Sequence, residues 1–285
     1  MSNSFKYGLG YELEAYKMKL IKVKKLMKDA EFHRKRMGSS LNYQKYNILD
    51  EADITEIKDT LYGGEIISPI LYDEEALKNS IDYVLKILKK TNACNLEESR
   101  SFAGLHFHFG LEALNNNFQN YYHLIKFMSA FSGEIYYYSH SPYEGLRISI
   151  HEYAKPYPKA ILDNFLEKYK NFEFRVDHTF AKKANNPLLL FSSKSHMYRF
   201  TDNTVEFRTC NCPLIPCENE TFDVQKSYMQ FLDYVTFYQK IIKYLTSNNL
   251  DLEMINYYYE LERNNPFVLD NKRHEDIKKI LKLEK

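Results

Sequence analysis

GLHFHFG, residues 104–110, sets two histidines two positions apart inside an apolar run. The side-chain period of a β-strand is two, so a strand here turns Leu105, Phe107 and Phe109 to one face and His106 and His108 to the other. Two other short stretches repeat that division. GYELE (10–14) sets Glu12 and Glu14 against Tyr11 and Leu13, and TVEFR (204–208) sets Glu206 and Arg208 against Val205 and Phe207. Taken singly, each pair also fits a solvated strand face. Taken together in one sheet, they predict an apolar face for the core and a second face carrying three carboxylates, two imidazoles and a guanidinium. Such a patch suits a divalent metal and a phosphate.

The remaining chain gives that sheet its helices. Residues 5–16 read as a strand, 18–37 as a Lys-rich amphipathic helix, and 42–49 and 61–70 as short strands. The excess of Lys and Arg in 18–37 is read as a solvated helix face rather than a polyanion site. After Asp73, the residues Leu77, Ile81, Val84, Leu85 and Leu88 form one stripe of a 3.6-residue period, which predicts a helix. Further helices are expected over 117–130, 158–169 and 222–245 and after Leu250 and Arg273. Strands are expected near 135–138, 146–153, 172–176, 188–192 and 204–209. The class is α+β, with a mainly antiparallel sheet and helices packed on its apolar face. One domain over 1–285 is the simplest partition, with about 248–285 as a helical C-terminal appendage.

Composition narrows the function classes. A chain of 285 residues with 44% hydrophobic content can bury a real core, and 39 Lys and Arg against 38 Asp and Glu leave no field to attract nucleic acid or an anionic membrane. No apolar run approaches the roughly 18 residues of a membrane span. The N-terminal MSNSFKYGLGYELEAY lacks the order of a signal peptide, so a cytoplasmic protein is expected. Cys94, Cys210, Cys212 and Cys217 are too few and too irregularly spaced for a disulfide framework or a paired zinc motif, and are read as reduced, unliganded thiols.

Two carboxylates at i, i+2 on a strand repel each other unless a cation sits between them. HxH is the more telling pair, because imidazoles serve as metal ligands or proton carriers. Glu65, in GGEIISPIL (63–71), adds a fourth position, preceded by Gly63 and Gly64, which permit close backbone approach. No GxxxxGK[ST] or GxGxxG is present, so a nucleotide would be held by metals and side chains rather than by a phosphate loop.

At these residues the chain resembles the amidoligase family of the glutamine synthetase and glutamate-cysteine ligase superfamily of carboxylate-amine ligases. The matching stretches are GYELE, GGEIISPIL, AGLHFHFG (103–110) and NTVEFRTCNCPL (203–214), in the family's order. The resemblance implies a glutamine synthetase-like fold, in which a curved antiparallel sheet forms a funnel for ATP and divalent metals. By motif, Glu12, Glu14, Glu65, His106 and Glu206 resemble metal ligands, with Glu65 a metal or substrate ligand. His108 looks like the histidine nearer nucleotide or substrate, Arg208 like the phosphate-binding arginine, and Arg147 in LRISIHEY like a substrate-carboxylate arginine. Family members often carry Cys where this chain has Ala103. They also often carry Asp-Gly-Ser where it reads DEADI, which leaves Asp50, Glu51 and Asp53 without an assigned role.

The activity so implied is ATP-dependent joining of a carboxylate, on an amino acid, peptide or protein, to an amine through an acyl phosphate. The cofactors are ATP and Mg²⁺ or Mn²⁺, with His106 shifting some preference towards Mn²⁺. A metal-dependent hydrolase using the same HxH and carboxylates, and a non-catalytic scaffold relative, are the alternatives from other classes.

Overall fold

The computed structural model describes residues 4–16, 26, 32–34, 46–50, 63–91, 93, 104–140, 154–173, 186–213, 223–261 and 265–283. The expected strand over 146–153 therefore lies outside the described residues. Among the described residues, eight strands form one open sheet. They are β1 (Ser4–Tyr16), β2 (Phe32–Arg34), β3 (Tyr46–Asp50), β4 (Gly63–Ile67), β5 (Leu71–Asp73), β6 (Gly104–Gly110), β7 (Tyr198–Phe200) and β8 (Thr204–Asn211). Their order is β2-β3-β4-β1-β6-β8-β7, with β5 also on β1. Only β2 and β3 run parallel. Seven helices occur among the described residues: α1 (Glu74–Thr91), α2 (Phe118–Ala130), α3 (Ser132–Tyr138), α4 (Lys159–Tyr169), α5 (Val224–Leu245), α6 (Leu252–Glu260) and α7 (Asn271–Leu281). No helix among them is long and apolar enough to cross a membrane.

The strand alternation holds where the site depends on it. Leu9, Tyr11, Leu13, Leu105, Phe107, Phe109, Val205 and Phe207 are all buried on the helix side of the sheet. There α5 supplies their main partners. Phe231 meets Tyr11 and Phe107 edge-on at 4.9 and 5.4 Å, and Tyr238 stacks on Phe207 at 4.3 Å. Each of these rings contributes about 1.5–3 kcal/mol by leaving water. The predicted stripe of α1 is buried in full. Its start is fixed by Asp73, whose carboxylate accepts the Ala76 N–H at 2.7 Å, and its face is tied to β1 by the Tyr11 and Ser80 hydroxyls at 2.8 Å. The C-terminal helices join the same core through Ile255, Tyr258, Ile277 and Leu281.

The structure corrects several local expectations. Residues 135–138 are not a strand but part of α3. Tyr and Ile favour strands, yet Ile135 and Tyr136 are both fully buried, and a half-exposed strand cannot bury two successive side chains. The Tyr136 hydroxyl, moreover, reaches the Ala154 carbonyl. Residues 188–192 are not a strand either. Pro187–Phe191 form a 3₁₀ turn, capped by the Asn186 side chain accepting the Leu188 N–H, and the Asn-Pro pair was the available signal. Phe172 and Glu173 lie outside any strand, and 174–176 outside the described residues. Within 18–37 Leu26 is helical, but Phe32–Arg34 form β2.

Candidate active site

The three motif strands are neighbours, and their register brings the pairs together. Glu12 on β1 is opposite His106 on β6, and His108 is opposite Glu206 on β8. Glu14 is opposite Glu65 on β4. Gly10 is the register partner of His108. Seven residues read from the sequence thus meet on one face: Glu12, Glu14, Glu65, His106, His108, Glu206 and Arg208.

Alternation from Glu206 puts Arg208 on the site face, and a β-bulge follows directly after it. Leu105 pairs with Cys210 and Phe107 with Phe207, so β8 has one extra residue and both Arg208 and Thr209 oppose His106. Thr209 turns to the core, where its hydroxyl meets that of Tyr238, while Arg208 turns to the site. Its Nη1 donates to Glu206 Oε1 and lies 3.5 Å from His106 Nδ1.

His106 is enclosed by carboxylates. Nδ1 is 3.3 Å from Glu12, 3.9 Å from Glu65 and 3.8 Å from Glu206. On the other side of the ring, Nε2 is 3.8 Å from Glu14 Oε1. His108 Nε2 is 3.1 Å from Glu12 Oε1 and 3.8 Å from Glu206 Oε2. Two sets of ligand atoms therefore converge: Glu12, Glu65 and His106, and Glu12, His108 and Glu206, each set lying within 4.8 Å. Glu12 belongs to both. Glu14, expected as a ligand, belongs to neither; its Oε2 accepts the Gly104 N–H at 2.5 Å.

The charges in the cluster adjust to one another. Burial raises the pKa of the Glu12 carboxyl, but His108 and His106 outweigh it and hold the group well below the usual carboxylate range. Glu206 is fully buried; that burial and the nearby Glu12 raise its pKa, while His108, Arg208 and His106 bring the net shift downward. Burial and Arg208 depress His106 against the pull of three carboxylates. His108 moves upward, because Glu12 and Glu206 more than offset its burial. Carboxylate oxygens mixed with imidazole nitrogen form a donor set that fits Mg²⁺ and still better Mn²⁺.

Two residues of the site escaped the sequence reading. Arg199 on β7 is the register partner of Glu206 and donates through Nε to its Oε2. Thr204 sits 3.2 Å from His108 Nδ1 through its hydroxyl. The signal for both was the hairpin turn between Phe200 and Thr204, which pairs Arg199 with Glu206 once β7 is recognised as a strand. Arg147, Glu51 and Asp53 lie outside the described residues, and Asp50 is placed only by its backbone pairing with Gly64. Cys210 and Cys212 are buried, and both ligand sets contain only Glu and His; Cys94 and Cys217 lie outside the described residues.

Comparison with curated proteins and with solved structures gives no match. A family model does match, over residues 9–215, which include every member of the cluster. The family is described as "Putative amidoligase enzyme", and the chain belongs to it.

Proposed function

We propose that this protein is an ATP-dependent carboxylate-amine ligase working through an acyl phosphate, in a sheet that curves into a glutamine synthetase-like funnel. The observation that carries the reading is the pair of ligand sets sharing Glu12, with the Arg208 guanidinium beside the Glu206 carboxylate. Glu12, Glu65 and His106 would hold one divalent cation, and Glu12, His108 and Glu206 a second. Two such cations neutralise the charge on the nucleotide phosphates that would otherwise repel a carboxylate.

The chemistry runs in two balanced steps. A substrate carboxylate oxygen attacks the γ-phosphorus of ATP, and the bond to the β,γ-bridging oxygen breaks with its electron pair leaving on ADP. An amine nitrogen then attacks the acyl carbon, phosphate departs with the C–O electron pair, and that phosphate takes up the proton the amine gives up. Arg208 presents a planar fork of donors that matches phosphoryl oxygens, a geometry an ammonium group lacks. His108, whose Nε2 faces Glu12 while Nδ1 lies against Thr204, would stand nearer the nucleotide or substrate, and Glu65 on β4 would be a metal or substrate ligand. The carboxylate belongs to an amino acid, a peptide or a protein.

The test is calorimetric titration of ATP into the protein with Mn²⁺ or Mg²⁺ and with chelator, for wild type, Glu12→Ala and His106→Ala. Metal-dependent ATP binding lost in both variants is expected. Failure of folded wild type to bind ATP with either metal overturns the reading. Hydroxylamine then separates ligase from hydrolase, since only a carboxylate activated by ATP yields a hydroxamate.

A further inference from the structure

Glu206 is completely buried, and each of its carboxylate oxygens faces a different guanidinium. Arg208 Nη1 holds Oε1 from two residues along β8, and Arg199 Nε holds Oε2 from across the β7–β8 hairpin. The two arginines are not equivalent. Arg208 also touches His106, whereas Glu206 is the one side-chain hydrogen-bond partner of Arg199 among the described residues. A guanidinium has five N–H donors in a rigid fork. Among the described residues only Nε of Arg199 makes a hydrogen bond, and its side chain keeps 17% of its surface open, which leaves its Nη donors room to meet another oxyanion.

Oε2, the oxygen Arg199 holds, is also the one facing His108 Nε2 at 3.8 Å, inside the Glu12, His108 and Glu206 set. A divalent cation entering that set meets the Arg199 positive charge on the same oxygen, and the two repel. We propose that Arg199 is an exchangeable counter-ion. It neutralises buried Glu206 while that set is empty, yields Oε2 when a divalent cation loads, and turns its fork to a phosphate oxygen of the incoming nucleotide. With Arg208 on Oε1 throughout, such an exchange keeps Oε2 of buried Glu206 facing a positive charge at every stage. It also delivers a donor to the phosphates only after the metal has arrived. The exchange at Glu206 stands on the geometry alone; the destination of the guanidinium rests on the ligase reading above.

The experiment uses Arg199→Gln and Arg199→Lys in the full chain, with Mn²⁺ alone as the first probe and ATP at saturating Mn²⁺ as the second, both by calorimetry. Arg199→Gln, freed of the competing charge, is expected to bind Mn²⁺ about three- to tenfold more tightly than wild type. Arg199→Lys, which keeps the charge, is expected to match wild type on Mn²⁺. Both are expected to bind ATP more weakly, Arg199→Gln by about ten- to hundredfold for a lost charge-assisted hydrogen bond. A merely structural arginine would not tighten the metal when removed. Unchanged or weaker Mn²⁺ binding in Arg199→Gln overturns the exchange, and tighter Mn²⁺ with unchanged ATP overturns the phosphate destination. Should wild type itself bind no ATP, the ligase reading fails while the Mn²⁺ comparison still decides the exchange. If Arg199→Gln does not fold, Arg199→Lys decides through ATP: binding equal to wild type overturns the role of the fork.

Discussion

The Thr204 hydroxyl lies 3.2 Å from His108 Nδ1 and 2.9 Å from the Thr201 hydroxyl. Thr201 in turn accepts the Thr204 backbone N–H at 3.0 Å, so the tight β7–β8 turn holds the chain of hydroxyls in place. An imidazole donating Nδ1–H to Thr204 keeps the Nε2 lone pair for a cation, and Nε2 is the nitrogen that faces Glu12 and Glu206. Replacing Thr204 by Val keeps the β-branched shape and removes the acceptor. Thr204→Val is expected to weaken Mn²⁺ binding by about tenfold, the low end for loss of a group that orients a metal ligand. Calorimetry of Mn²⁺ on the folded variant checks this, and wild-type affinity would leave Thr204 without a part in orienting His108.

Because Glu12 is common to both ligand sets, its loss and the loss of an unshared ligand have different signatures. Glu12→Gln is expected to abolish both divalent sites. Glu65→Gln is expected to remove only the one it shares with His106, leaving Mn²⁺ bound at Glu12, His108 and Glu206. Counting bound Mn²⁺ per chain by equilibrium dialysis separates the cases. Equal stoichiometry in the two variants would mean that the carboxylates serve a single ion.

The site pairs were legible because a period of two admits no alternative: once GLHFHFG buries Leu105, Phe107 and Phe109, both histidines must share the opposite face. Pattern alone could not supply which strands are neighbours or how they register. The position of Glu12 opposite His106, and of His108 opposite Glu206, came from the sheet itself. Arg199 was hidden for a related reason. A three-residue edge strand carries too little alternation to be read, and its one site residue is recognisable only through the turn that pairs it with Glu206. The extra residue in β8 that brings Cys210 opposite Leu105 leaves no mark in the sequence beyond an unbroken run of small and polar residues. At α3, burial of adjacent Ile135 and Tyr136 overrode a local preference for strand.

Arg208→Lys keeps a positive charge beside Glu206 and loses the fork. Under the ligase reading the fork matters most while negative charge is redistributed on the transferred phosphoryl group, so turnover is expected to fall about a hundredfold or more, with ATP affinity falling much less. The shorter, compact ammonium still neutralises Glu206 in part, so the fold is expected to survive. Hydroxamate formation for turnover and calorimetry for affinity give the two numbers. Equal losses in both would assign Arg208 to ground-state nucleotide binding instead.

His123 on α2 offers a pH effect remote from the ligand sets. Among the described residues its buried Nδ1 has no hydrogen-bond partner, and its ring meets Tyr122 at 5.9 Å. Burial, with Lys126 close by, pushes its pKa down to about 4. An unfolded histidine titrates near ~6.5, so between these values the unfolded chain takes up a proton that the folded chain refuses. Stability contributed by neutral His123 is therefore complete above the unfolded value and is lost as pH falls towards the folded one. The side chain is partly exposed, so solvent screening reduces the full linkage to about 1–2 kcal/mol. His123→Gln is neutral throughout this window, while the carboxylates elsewhere affect both proteins alike. Urea denaturation at pH 7.5 and pH 4.5 is expected to show wild type losing that much more stability than the variant. Equal losses would mean that the folded protein accommodates the charged imidazole at no cost, and that burial on α2 leaves it room to reach water.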